Sequence, residues 1–180
     1  MIYSIGHGNK TFDQLLTELK CFGIKFLIDV RTKPYSQYSP HFNRETLATA
    51  LETSKIKYVY LGEYLGGLPA DQSCYSDGKV DYEKVSEKPF FQEGLKRLGT
   101  AHSKKLNVAI MCSESKPEDC HRSKLIGQEL RKNDIPIIHI LGVERTIDQD
   151  ELLQELTKGM GPVDLFGNEV GFTSRNRYSK

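Results

Sequence analysis

Tryptophan is missing from this chain of 180 residues, and cysteine occurs only four times, at Cys21, Cys74, Cys112 and Cys120. Four thiols are too few for a disulfide scaffold, so a reduced, cytoplasmic chain is expected. No apolar run approaches the roughly 20 residues that a bilayer span requires. Met1–His7 lacks the basic start and apolar stretch of a secretory signal, and no membrane partner is expected. Neither sign of charge is in excess: 25 Lys plus Arg against 24 Asp plus Glu leave +1. That balance removes global attraction to nucleic acid or lipid and leaves only local patches. Glycine at 15 and proline at 7 exclude collagen-like and disordered chains. What remains is one ordinary domain over residues 1–180, 38% hydrophobic and large enough for a core.

Short apolar runs alternate with segments of helical period. Ile2–Ile5 reads as a strand, and Phe12, Leu15, Leu16 and Leu19 recur as on one helix face, with Gly23 closing the segment. Phe26–Val30 is a near-continuous apolar strand, as one covered on both faces should be. A helix over Thr46–Thr53 and a strand over Tyr58–Leu61 follow. Residues 62–87 show no lasting period and read as a functional loop or lid. Helices are expected over Pro89–His102, Pro117–Lys132 and Asp148–Thr157, with strands over Val108–Met111 and Ile135–Leu141. A polar tail, Ser174–Lys180, reads as frayed. Strand–helix alternation with short connections predicts a three-layer α/β/α domain, Rossmann-like, with a mostly parallel sheet of roughly five strands.

In such a sheet ligands bind outside the carboxyl ends of the strands. The residues at those exits are unusual: Gly6-His7, Asp29-Val30-Arg31, Gly66-Gly67 and Cys112-Ser113-Glu114. Beyond Glu114, the run Ser115-Lys116-Pro117-Glu118 fits a capping box with proline in the first turn. That would aim a helix N-terminus, with His121 and Arg122 one turn in, at an anion in the crevice.

Each candidate has a plainer alternative. Cys112 is either a nucleophile or a small buried residue at a strand end. Asp29 and Glu114 offer a general base or nucleophile, or an ion pair of Asp29 with Arg31 or Arg122. His7 offers proton transfer or a structural hydrogen bond. His139, inside an apolar strand, reads as a core residue. Cys112, Cys120 and His121, together with His7, form a candidate metal set, although the spacing of the cysteines lacks the paired short intervals of strong zinc sites, and no metal ligand is assigned. The stretch 31–44 carries Arg31, Lys33 and Arg44, no acid, and the rings of Tyr35, Tyr38 and Phe42, a composition suited to phosphates and stacked bases.

Ser4-Ile5-Gly6-His7, Asp29-Val30-Arg31 with Pro34, Ser36, Pro40 and Phe42-Asn43, Tyr64-Leu65-Gly66-Gly67, and Cys112-Ser113-Glu114 with Pro117 and Cys120-His121-Arg122 together resemble the domain of unknown function 488 family. The resemblance covers residues 1–142 and implies an α/β core there, with 143–180 as a C-terminal helix and tail. It implies no reaction or cofactor. Gly8, Gln37 and Leu68 depart from its pattern.

The expectation is an enzyme, a hydrolase or transferase, acting on an anionic, nucleotide-like or phosphorylated substrate. His7, Asp29, Cys112, Glu114 and His121 are the catalytic candidates. Gly6, Arg31, Tyr35, Ser36, Gly66, Gly67 and Arg122 are the substrate-binding ones. The alternatives are a nucleic-acid-binding or repair-accessory module and a metal-binding domain using Cys112, Cys120 and His121.

Overall fold

In the computed structural model, which describes residues 1–159 and 171–178, the apolar runs become strands and the periodic segments become the helices that cover them. In chain order these are β1 (Ile2–Gly6), α1 (Phe12–Cys21), β2 (Phe26–Asp29), α2 (Arg44–Thr53), β3 (Lys57–Tyr60) and a short α3 (Gly62–Leu65). A two-stranded hairpin of β4 (Tyr75–Ser76) and β5 (Lys79–Val80) precedes α4 (Tyr82–Ser86) and the long α5 (Pro89–Ser103). Then come β6 (Val108–Cys112), α6 (Gln128–Lys132), β7 (Ile137–Gly142), β8 (Arg145–Asp148) and α7 (Gln149–Leu156).

Local chemistry sets several boundaries. Thr11 and Gln14 cap α1 reciprocally, satisfying two of its free N–H groups. The chain leaves that helix through Gly23 at φ +62°, a left-handed position glycine occupies without a Cβ clash.

The main sheet has six strands in the order β3-β2-β6-β1-β7-β8, all parallel except the antiparallel edge strand β8. Side chains alternate between two cores. Ile2, Ile28, Val30, Val108 and Ile110 pack on one face with Phe91, Leu95 and Leu98 of α5 and Leu130 of α6. Ile5, Leu27, Ala109 and Met111 pack on the other with Leu15 and Leu19 of α1 and Leu47 and Leu51 of α2. Burial on both faces explains why β6 is apolar throughout. This is the three-layer α/β/α arrangement.

Four local expectations are corrected. The sheet has a sixth strand, β8, hidden from pattern reading because only Ile147 of its four residues is buried. Residues 62–87 are no loose lid: Leu65, Cys74, Val80 and Val85 are wholly buried in the core. The helix expected from Pro117 is broken. Pro117–Asp119 form a single 3-10 turn, Cys120 is extended, and a π-helical stretch, Arg122–Gly127, leads into α6. The expected capping box is therefore not formed. The tail is docked as far as it is described: Thr173 bridges Asp81, and Ser174 exchanges hydrogen bonds with Val80. Lys180 and the Gly/Pro-containing stretch after α7 lie outside the described residues, apart from Gly159 at its start.

Candidate active site at the carboxyl edge of the sheet

Strands β2 and β6 are neighbours whose chains leave in opposite directions. The chain runs from β2 through α2 to β3 over one face, and from β6 through α6 to β7 over the other. Diverging connections leave a crevice at the carboxyl ends of the two strands, the place where open α/β sheets bind ligands. The β2 exit brings Asp29-Val30-Arg31 there, and the β6 exit brings Cys112-Ser113-Glu114.

Asp29 and Arg31 form a buried bidentate pair: Arg31 Nε donates to Oδ1 at 2.9 Å and Nη2 to Oδ2 at 2.6 Å. The backbone N–H of Arg31 and the hydroxyl of Tyr58 also donate to this carboxylate, at 3.0 and 2.6 Å. Four donors saturate it, and the ion-pair alternative describes Asp29 in place of the expected base or nucleophile. Burial and the Asp29 carboxylate push the Tyr58 hydroxyl well above its ordinary pKa, so it stays a donor. Arg31 also donates to the Phe42 carbonyl at 2.7 Å and from Nη1 to His7 Nε2 at 3.3 Å. His7 Nδ1–H donates to the Gly8 carbonyl at 3.0 Å, which leaves Nε2 as the acceptor. Burial, then Arg31, bring His7 down to about 4, so the ring is neutral at neutral pH. In this pose its lone pair is committed to Arg31, and the ring orients that cation.

On the β6 side, His121 Nε2 donates to the Val30 carbonyl at 3.3 Å, so Nδ1 carries the lone pair. Nδ1 lies 3.6 Å from Cys120 Sγ and 3.9 Å from Cys112 Sγ. Arg122 Nε–H points at Cys120 Sγ from 3.3 Å. The hydrogen bond to Cys120, together with burial, pushes the Cys112 thiol up. Burial opposes ionisation of Cys120, but the Cys112 hydrogen bond and Arg122 overcome it and bring Cys120 down.

Arg122 is itself 1% exposed and lines neither cavity described below, contrary to its expected contact with substrate. It donates to the Glu114 carbonyl at 2.6 Å and to Ser4 Oγ at 3.4 Å. From there a directed chain continues. Ser4 O–H donates to His139 Nδ1 at 2.6 Å, His139 Nε2–H to Gln149 Oε1 at 2.7 Å, and Gln149 Nε2 to the Ser123 carbonyl at 3.2 Å. His139 is thus a satisfied core residue. Arg122 holds the floor of the crevice.

Two adjoining cavities occupy the crevice. The inner one, about 200 Å³, is bordered by Cys112, Cys120, His121, Gly67, Tyr82 and tail residues including Arg175. The outer one, about 480 Å³, is bordered by His7, Gly8, Tyr35, Ser36, Ser39 and Ser115 among others. Arg31, Lys33, Ser113 and Glu114 border both. The Glu114 side chain makes no hydrogen bond or ion pair among the described residues.

Of the three expected glycine contacts, Gly6 and Gly66 are packing contacts, whereas Gly67 borders the inner cavity as well as packing on His121. A Cβ at Gly6 would overlap the Glu114 carbonyl, and one at Gly66 would overlap the Gly62 carbonyl and Thr32 Oγ1. At Gly67 it would fall 2.8 Å from His121 Nδ1, so that glycine seats the imidazole. Tyr58, Ser4 and Gln149 were not among the sequence candidates. Ser4 opens the family-like stretch at β1, but no role could be read for it, because each of the three acts through a partner on another element. The docked tail was missed because its polar composition resembles a frayed end.

Residues 11–127, more than half of the chain, match the family described as Domain of unknown function DUF488. The chain belongs to that family. No curated protein and no solved structure matches it. The matched region of this DUF488 domain contains β2, β3, β6, both cysteines of the crevice, His121 and Arg122, whereas β1 with His7, β7 and β8 lie outside it. No helix among the described residues is long and apolar enough to cross a membrane.

Proposed function

We propose that this DUF488 chain is an enzyme, a hydrolase or transferase, that takes a small phosphorylated or nucleotide-like anion in the crevice between β2 and β6. The observation that carries the reading is the wall common to both cavities: Arg31, Lys33 and the unpartnered Glu114 face the same space. Lys33 and the remaining Nη1 proton of Arg31 attract and orient the anion, and the hydroxyls of Ser113 and Ser115 complete its hydrogen bonds. Glu114 takes a proton from the attacking water or hydroxyl, a role open to a carboxylate with no other partner. Asp29 and His7 act at one remove, by fixing the Arg31 guanidinium.

The test is a thermal-shift screen of nucleotides and phosphate esters, followed by titration calorimetry and turnover with any ligand that stabilises the protein. Lys33→Ala is expected to weaken binding by about tenfold, the scale of one charge-assisted contact. Glu114→Gln is expected to bind as wild type while turnover falls by roughly 10²–10⁴. If both variants bind and turn over like wild type, the roles are wrong.

A second reading has its own observation. Tyr35 and Tyr38 are 75% and 88% exposed beside Lys33, as rings meant for stacking would be. A nucleic-acid-binding module would show single-strand affinity that falls steeply with salt and is lost in the double variant Tyr35→Ala/Tyr38→Ala. Absence of a gel shift at low salt removes this reading.

A further inference from the structure

We propose that Cys112, Cys120 and His121 bind a thiophilic divalent cation, zinc by its chemistry, with a fourth coordination position open to the inner cavity. The proposal goes beyond the anion-binding reading and does not rest on it.

The geometry of the donors comes first. The two sulfurs and His121 Nδ1 all lie within 4.8 Å of one another, and all three residues are buried. For an ion about 2.3 Å from sulfur and about 2.0–2.1 Å from nitrogen, tetrahedral angles put S and N about 3.6 Å apart. The observed separations are 3.6 and 3.9 Å. The donors are therefore spaced for an ion to sit between them with little movement.

The second argument is the state of each donor. His121 spends its N–H on the Val30 carbonyl, which directs the Nδ1 lone pair at both sulfurs. A backbone acceptor on the far nitrogen is the usual support for a ligating imidazole. Gly67 closes off the ring, because a Cβ there would stand 2.8 Å from Nδ1. Arg122 Nε–H on Cys120 Sγ supplies the N–H···S contact that balances a metal thiolate.

The third argument concerns openness. Cys112, Cys120 and His121 all border the cavity of about 200 Å³. Three protein ligands and a vacant position are the pattern of zinc sites that take water or substrate, whereas structural sites are closed by four. On binding, both sulfurs ligate as thiolates, their protons pass to solvent, and the two negative charges neutralise the divalent cation.

The test uses the full chain, expressed with zinc in the medium, purified under reducing conditions and measured by elemental analysis. About one zinc per chain is expected, consistent with one such site. Replacement by cobalt(II) should give the intense visible bands of a tetrahedral thiolate complex. Cys112→Ser, Cys120→Ser and His121→Ala should each lower the zinc content several-fold, and Cys21→Ser, at the exposed cysteine, should not. Should a ligand variant fail to fold, cobalt titration of the chelator-treated wild type decides alone. Folded, reduced protein with no zinc and no tetrahedral cobalt spectrum overturns the proposal. So does a Cys112–Cys120 disulfide as the purified form, which would assign the pair to redox chemistry. Lys33→Ala should keep full zinc content while losing anion affinity, so the two readings fail separately.

Discussion

Asp29 is fully buried in an ion pair with Arg31, and four donors on one carboxylate offset the cost of that burial. Removing the charge leaves the Arg31 guanidinium without its counter-ion in a place where water cannot replace it. Asp29→Asn is therefore expected to cost about 3–5 kcal/mol in urea unfolding, the range for breaking a buried pair from one side. Glu114→Gln removes an exposed carboxylate with no partner and should stay within about 0.5 kcal/mol of wild type. A small effect at Asp29 would show that Arg31 finds water in the crevice, and would return Asp29 to the list of candidate bases. From sequence alone the two carboxylates looked alike, both ionisable residues at a strand exit. They differ because Tyr58 and the Phe42 carbonyl reach Asp29 and Arg31 from other elements, and no spacing within Asp29-Val30-Arg31 reports on residues that far away.

Among the elements, the segment 117–132 departs most from its pattern, and the reason is physical. Its apolar positions have a helical period, but Cys120 is extended, with its sulfur close to that of Cys112, so the helix starts only after it and widens into a π-helical turn. Such turns are frequent at functional sites because they re-aim side chains. Gly127 within it has no room for a Cβ against Gln149 Oε1, and this close approach ties α7 to His139. That link predicts a pH dependence. Burial brings His139 down to about 4 from 6.5, with Gln149 and Asp148 opposing the shift and Arg122 adding to it. A lowered folded pKa means that the unfolded chain takes up a proton first. Stability is complete above pH ~6.5 and lost as pH falls toward 4, by roughly 3 kcal/mol for this one group. His7 shifts in the same direction. His139→Gln should therefore remove about half of the histidine-linked loss, read from denaturation midpoints across that window. An unchanged slope would mean that the buried ring is protonated in the folded state.

At the scale of the molecule, the three-layer architecture was legible because strands buried on both faces must be apolar and the crossover helices must be amphipathic. The order of strands was not. Parallel pairing leaves no turn signature, so nothing in β1 announces that it lies between β6 and β7. The convergence of strand exits was legible in kind, since a parallel sheet places all its carboxyl ends on one edge. Which groups face the crevice and which lie beneath it was not. Residues 171–178 illustrate the same limit. Their polar composition hides a docked strap that bridges Asp81, bonds to Val80 and Tyr82, and places Ser174, Arg175 and Asn176 along the inner cavity. Arg175 is anchored to Asp119 at 3.3 Å, an ion pair too exposed to hold the strap alone. Deleting 171–180 should therefore leave the main sheet intact, because each of its six strands among the described residues ends by Asp148. It should also uncover the wall behind which Cys112 and Cys120 sit. In chelator-treated protein, thiol labelling of the full chain is expected to give one fast cysteine, Cys21, and three slow ones. In the truncated chain Cys112 and Cys120 should join the fast class while Cys74, packed in the core, stays slow. If the truncation leaves all three slow, the strap is not what shields the crevice, and access to the two sulfurs must run through the outer pocket beside His7 and Lys33.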